Sequence, residues 1–194
     1  MTNSRPAVLQ TLEADGHDIR LQYMTPDDAA ALLAFARSLP GHDLLFLSTD
    51  ITEVDGVNEW VEGVVAGRMG VILAMEGEQI VGFASVVRNA VSWMRHIAEV
   101  RVIVGERMRH HGLGRCLTEE AFRIADDMGV MRMLAQMTLD QQSAMHTFRH
   151  LGFVPLAILH DQVVDEDGQT YDLVLMHQDV AGFVETLRRL NAGE

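Results

Sequence analysis

The chain has 194 residues, 48% hydrophobic and 22% charged, the composition of an ordinary globular domain long enough to bury a core without staples. Its net charge of −13 argues against nucleic acid as a partner, because a phosphate backbone needs a basic footprint. One cysteine, no apolar run long enough to span a membrane and no charged-then-apolar start exclude an internal disulfide, and the expectation is a cytoplasmic protein without a membrane partner.

In chain order, DIRLQYM (18–24) alternates and predicts a strand. TPDDAAALLAFARSL (25–39) predicts a helix, with Thr25 as cap, Pro26 at the first helical position and Asp27 and Asp28 in the first turn. The chain then breaks at LPGHD, and TEVDGVNEWVEGVVAG (52–67) predicts a second helix with Val57, Trp60, Val61 and Val64 inward. GVILAME (70–76) and QIVGFASVVR (79–88) read as a hairpin turning at Gly77-Glu78, followed by a strand over HIAEVRVIV (96–104). LGRCLTEEAFRIADDMG (113–129) has the strongest helical period, with Leu113, Leu117, Ala121, Ile124 and Met128 on one face and Gly129 just past its end. A strand (131–139), a short helix (142–152) and two closing strands around DEDGQ follow, and DVAGFVETLRRLNAGE (179–194) reads as a terminal amphipathic helix. The order βααβββαβαββ predicts an α+β domain over 1–194, a single mixed, mostly antiparallel sheet with helices on both faces.

One stretch stands out chemically. RVIVGERMRHHGLGRCL (101–117) places a glycine turn between a strand and a helix. Such a helix start leaves N–H groups unpaired and carries partial positive charge, and glycine lets an anion approach the backbone. Arg109, with Arg107 and Arg115 nearby, adds full charges suited to a pyrophosphate. The pattern lacks the Gly-Lys-Ser/Thr of a Walker loop and the third glycine of a dinucleotide fold. Adjacent His110 and His111 would diverge on regular structure, and His146 and His150 have no acidic partner in a recognisable motif, so no metal is expected.

RHHGLG (Arg109 to Gly114) resembles the Arg/Gln-x-x-Gly-x-Gly/Ala signature of the GNAT N-acetyltransferases, a superfamily that binds acetyl-CoA. The preceding strand, the long helix and the segment SAMHTFRHLGF are similar to that family's order of elements, over a core of about 65–178. Residues 25–67 then correspond to its helical acceptor side. The resemblance implies the GNAT acyl-CoA N-acyltransferase fold. It also implies that Arg109, His110, His111, Gly112, Leu113, Gly114 and Arg115 hold the pyrophosphate of acetyl-CoA. The strand residues Val102, Ile103 and Val104 would meet the pantetheine, as an added strand meets a sheet edge. That strand is expected to carry a bulge and to splay from its neighbour.

By its place relative to the signature, Glu99 resembles the family's catalytic glutamate. An alkylammonium has a pKa of about 10.4, so a base must help to remove its proton before attack. Gln141 stands where the family commonly has asparagine, and Phe148 where it commonly has a tyrosine that protonates the leaving thiolate. A phenyl ring cannot do this; water, Tyr23 or Tyr171 are the alternatives. The resemblance therefore implies an acetyl-CoA-dependent N-acetyltransferase using direct transfer to a small-molecule amine or to a protein lysine or N-terminal amine. The alternative is a catalytically weak acyl-CoA-binding or regulatory module of the same fold. Between Arg37 and Arg68 the chain has no basic residue, whereas Asp43, Asp50, Glu53, Asp55, Glu59 and Glu62 are acidic. They form either a solvated face or a wall that attracts a cationic amine. Phe46, Trp60 and Trp93 are candidate apolar contacts there, and the closing strands suggest a possible homodimer.

Overall fold

The computed structural model describes residues 8–14, 16–45, 47–88, 92–165, 167–184 and 187. Eight strands form one sheet: β1 (Val8–Ala14), β2 (His17–Tyr23), β3 (Met69–Glu76), β4 (Gln79–Arg88), β5 (Ile97–Val104), β6 (Arg132–Thr138), β7 (Val154–Val164) and β8 (Thr170–Asp179). Their order across the sheet is β1-β2-β3-β4-β5-β6-β8-β7. All neighbours are antiparallel except β5 and β6. The helices are α1 (Ala29–Arg37), α2 (Gly41–Leu44), α3 (Val54–Val65), α4 (Leu113–Asp127) and α5 (Gln142–His150). The expected mixed sheet with helices on both faces is therefore present.

Alternation along β4 and β5 divides the core. Ala84, Val86, Ala98 and Val100 pack with Leu113, Leu117, Ala121 and Phe122 of α4. Phe83 and Ile103 pack on the other face with Leu32, Phe35 and Ala36 of α1 and Val57 and Trp60 of α3. Successive strand residues point to opposite faces, so one strand serves both clusters. Phe83 is wholly buried, with edge-on contacts to Trp60 (5.3 Å) and Phe35 (6.1 Å) between ring centres. On the α4 face Phe122 stacks on Phe183 at 3.9 Å. Phe183 belongs to the terminal helix, of which residues 180–184 and 187 are helical; Asp179 of the expected 179–194 helix instead ends β8, and residues 185, 186 and 188–194 lie outside the described residues.

Three elements differ from expectation. Strand β1 has no strong pattern of its own and is held by its antiparallel pairing with β2, from Val8↔Gln22 to Ala14↔His17. The helix expected over 25–39 begins as a 3-10 turn at Pro26–Asp28, where the Asp28 carboxylate accepts from the Thr25 N–H (2.7 Å) and hydroxyl (2.9 Å). Where a break was expected, α2 forms one turn after Pro40, and its side chains are tied to distant segments described below.

Close packing of α4 on the sheet depends on Gly70. A Cβ built there would lie 2.4 Å from Ile124 Cγ2, well inside contact distance. We expect Gly70→Ala to cost about 1–3 kcal/mol through overpacking. Truncating the facing side chain should relieve this, so in urea unfolding Gly70→Ala/Ile124→Ala should lose less stability than the sum of the single variants.

Candidate active site at the parting of two strands

The site begins where a hydrogen-bonded ladder stops. Strands β5 and β6 pair only at Ile97↔Arg132, Ala98↔Met133 and Glu99↔Leu134. Beyond Glu99, β5 stays with β4 as far as Val104↔Gly82, while β6 stays with β8 as far as Thr138↔Leu173. The expected splay is therefore present. The expected bulge is not: the β4–β5 register runs without a shift from Arg88↔Ala98 to Gly82↔Val104.

Gly105 N–H donates to the Val81 carbonyl (2.9 Å). Alternation along an antiparallel pair then turns the main-chain groups of Arg101 and Ile103 toward β4, and those of Val100, Val102 and Val104 toward the opened side. Two arginines cover part of this edge. Arg101 Nη1 donates to the Val100 carbonyl (3.3 Å) and Arg109 Nε to the Val104 carbonyl (3.2 Å). Val102, between them, is placed for an extended ligand to pair with it. Ile103 differs from its neighbours: its side chain is buried among the α1 and α3 residues and its main chain faces β4.

The turn after β5 is an anion cradle in form. Gly112 caps α4 with φ +79°, in the left-handed region that glycine adopts without strain, and His110 also sits there at φ +67°. Arg115 and Cys116 N–H groups both donate to the Gly112 carbonyl (3.1 and 3.2 Å), while the N–H groups of Leu113 and Gly114, at the helix start, have no partner among the described residues. Among the described residues nothing lies within 4 Å of a Cβ built on Gly112, and only Val104 Cγ2 (3.7 Å) meets one on Gly114. The space that a phosphate needs is thus open. Arg109 is held here by Asp43 of α2 (2.5 Å). Arg107 and Arg115 are drawn elsewhere, to Glu76 (3.6 Å) and Glu119 (2.7 Å). His111 lies against the His17 ring at 6.4 Å.

Helix α2 connects both sides of the opening. While Asp43 reaches Arg109, the adjacent His42 lies 3.0 Å from Asp140, just after β6, and its ring packs 5.5 Å from Tyr171 of β8. None of these three contacts was foreseen from sequence, because each partner lies tens of residues away.

At the fork itself, Glu99 and Arg101 share a face of β5. Arg101 Nη2 donates to Glu99 Oε2 (3.0 Å) and to Gln136 Oε1 (3.1 Å) on β6, so one guanidinium spans the two parting strands. The Arg101 side chain is 11% exposed and that of Glu99 43%. Burial pushes the Arg101 guanidinium below its ordinary value, partly opposed by Glu99. Both residues line a cavity of about 270 Å³ under α3, with Glu59, Trp60, Arg68 and Ser85. The i,i+2 spacing of Glu99 and Arg101 was a readable signal that they share a face; Gln136 and Ser85 carried none.

Of the six acidic residues expected along the acceptor side, only Glu59 lines this cavity. Asp43 holds Arg109, Asp50 accepts from the Thr52 N–H and hydroxyl, and Glu53 approaches Arg37 at 4.0 Å. Trp60 is buried beneath the cavity, Trp93 is 73% exposed, and Phe46 lies outside the described residues.

The remaining expected residues occupy structural positions. Phe148 is buried and packs edge-on against Phe153 at 4.8 Å. Gln141 caps α5 and accepts from the Thr138 N–H (3.3 Å). Tyr23 interacts with Asp127 and Arg123 near the C-terminal end of α4, the end opposite the cradle. The Tyr171 hydroxyl donates to Asp165 (2.8 Å), an interaction that holds its proton more tightly than usual. Cys116 is half-buried, and burial raises its thiol above the ordinary value, with Glu119 adding to the effect. Among the described residues no three His, Cys, Asp or Glu side chains gather as metal ligands, and no helix is long and apolar enough to cross a membrane.

Comparison with known proteins places this geometry. Residues 30–153 match the acetyltransferase (GNAT) family. Over 84 residues the chain is 29% identical to YwnH of Bacillus subtilis (strain 168), provisionally named a phosphinothricin acetyltransferase; the match covers 43% of this chain and 51% of that protein, about half its length. An acetyltransferase of the GNAT family from Streptococcus pneumoniae superposes with a TM-score of 0.72 at 25% identity, over 83% of this chain and 99% of that one. The fold of yncA from Salmonella typhimurium, solved with acetyl-CoA, is similar at a TM-score of 0.72 and 21% identity, over 84% and 94% of the two chains. With the family match spanning the α1–α3 helices, the parted strands and the glycine turn together, the chain belongs to the GNAT acetyltransferase family.

Proposed function

We propose that the chain transfers the acetyl group of acetyl-CoA to a primary amine by direct sequential transfer, with Glu99 as the general base. The observation that carries this reading is the position of Glu99. It is the last residue of β5 paired to β6, with the opened strand edge beyond it, and its side chain lines the cavity under α3. A donor lying along the edge and an acceptor in the cavity would meet beside one carboxylate.

The donor groups present fit acetyl-CoA. Val102 offers its main chain to the pantetheine amides, and the Leu113 and Gly114 N–H groups with Arg109 suit the pyrophosphate. When bound, acetyl-CoA supplies the thioester. Glu99 accepts one proton of the ammonium, directly or through water; the neutral nitrogen forms the C–N bond as the C–S bond breaks, and the departing thiolate takes up, through water, the second proton that the nitrogen sheds as the amide forms. A thiol has a pKa of about 8.5, so its thiolate leaves near neutrality without a dedicated acid. This accommodates Phe148 in the core. Arg101 and Gln136 act on Glu99 as positioning residues, holding its carboxylate at the fork. The outer strand β7 exposes Val154, Leu156 and Ile158 on an unpaired edge. A row of main-chain groups and apolar side chains of this kind supports pairing between two copies.

Glu99→Gln should leave acetyl-CoA affinity unchanged and lower the rate of CoA release at neutral pH by about 10²–10⁴-fold, with partial recovery as pH rises and more of the amine is neutral. Unchanged turnover would make Glu99 structural. CoA binding by the native protein with no turnover on any amine would favour the acyl-CoA-binding module instead.

Gly112→Val should abolish calorimetric acetyl-CoA binding, because it forces a branched residue into a left-handed backbone and fills the cradle. Wild-type affinity in a folded variant would remove the pyrophosphate from this turn. Sedimentation velocity of Leu156→Glu tests the dimer: a shift to slower sedimentation is expected, and no change would leave β7 unpaired.

A further inference from the structure

The cavity beside Glu99 has a charge pattern that the acidic acceptor side does not suggest. Its volume, about 270 Å³, falls just below the range of ordinary ligand pockets, roughly 300 to 1,000 Å³. It suits a compact molecule. Within it Glu99 and Arg101 neutralise each other at 3.0 Å. Glu59, on α3, and Arg68, in the turn into β3, also line it, and neither has an ion-pair partner among the described residues. Arg88 reaches the rim but turns its guanidinium to the Met128 carbonyl (3.3 Å).

Ser85 adds an independent observation. It lies opposite Arg101 in the β4–β5 register, is 1% exposed, and its hydroxyl has no hydrogen-bond partner among the described residues. A buried hydroxyl without a partner is costly, and a polar ligand group would relieve that cost. The cavity thus presents one carboxylate and one guanidinium that are solvent-exposed and without an ion-pair partner among the described residues, an unsatisfied buried hydroxyl and the buried Trp60 ring. A polyamine would set a second ammonium against Arg68 and Arg101. A simple alkylamine would leave Arg68 unanswered. A molecule carrying both signs of charge answers both sides.

We propose, resting on the acetyl-transfer reading, that the acceptor is a compact zwitterion of the amino-carboxylate class, its amine toward Glu99 and Glu59, its carboxylate recognised by Arg68, and Ser85 supplying a polar contact. Recognition of the carboxylate is then a requirement separate from catalysis, which allows the two to be measured apart.

The test is calorimetric titration of the protein saturated with CoA, which cannot turn over. The probes are free amino acids of increasing size, their carboxamides, their decarboxylated amines, and spermidine. At least one amino acid should bind tenfold or more tightly than its carboxamide. Arg68→Gln should erase that preference while leaving carboxamide affinity unchanged, and Ser85→Ala should weaken amino-acid binding severalfold. Equal or tighter binding of the carboxamide, a preference for spermidine, no binding by any amino acid, or a preference that survives Arg68→Gln would overturn the proposal. CoA release from acetyl-CoA is followed in parallel. Amino-acid preference in binding without release would support the zwitterion site and overturn acetyl transfer; release without the preference would do the reverse.

Discussion

An interior strand of this sheet is left with one edge unpaired, and the arrangement of the site follows from that. Buried main-chain N–H and C=O groups are normally satisfied by a neighbouring strand, because leaving them bare is costly. After Glu99, β5 gives up its partner β6. Arg101 and Arg109 each take one of the stranded carbonyls from the side. The edge between them is already extended, and in the proposed reading an amide-bearing ligand would complete it at little conformational cost.

The same parting explains why an arginine is buried at the fork. Arg101 bonds Glu99 on its own strand and Gln136 on the other, so its planar guanidinium replaces main-chain bonds that the two strands no longer make. Pairing with Glu99 offsets the cost of burying the charge, and it orients the carboxylate at the same time. Farther along the opening, α2 connects the cradle to the segment after β6 through Asp43 with Arg109 and His42 with Asp140. Asp43, Asp50 and Glu53 are thereby engaged by Arg109, Thr52 and Arg37, and the cavity that Glu59 lines carries charges of both signs.

Local sequence was sufficient where an element carries its own pattern. The strands from β2 to β8 and the long helices α3 and α4 fall where alternation, helical period and turn residues put them, because each of those signals is contained within a few residues. The glycine turn was legible for the same reason: a helix start, a left-handed Gly112 and an open approach to the backbone are local properties. Strand β1 and helix α2 were not, since one exists through its pairing with β2 and the other through the Asp43–Arg109 ion pair and the packing of His42 beside Asp140 and Tyr171, far along the chain.

By itself, then, the sequence determined the class of the sheet and the glycine turn, through periodicity and backbone stereochemistry, while Glu99, early in β5, was singled out by resemblance to the family. The tertiary structure decided how those parts meet. Where β6 leaves β5, which carbonyls stay open, that Gln136 joins Arg101 beside Glu99, that Phe148 lies in the core, and that Arg68, Glu59 and Ser85 line one cavity are all outcomes of contacts between residues far apart in the chain. Period and propensity describe a segment's own backbone and faces; they hold no information about which distant side chain will arrive opposite, and the chemistry of this site lies in those arrivals.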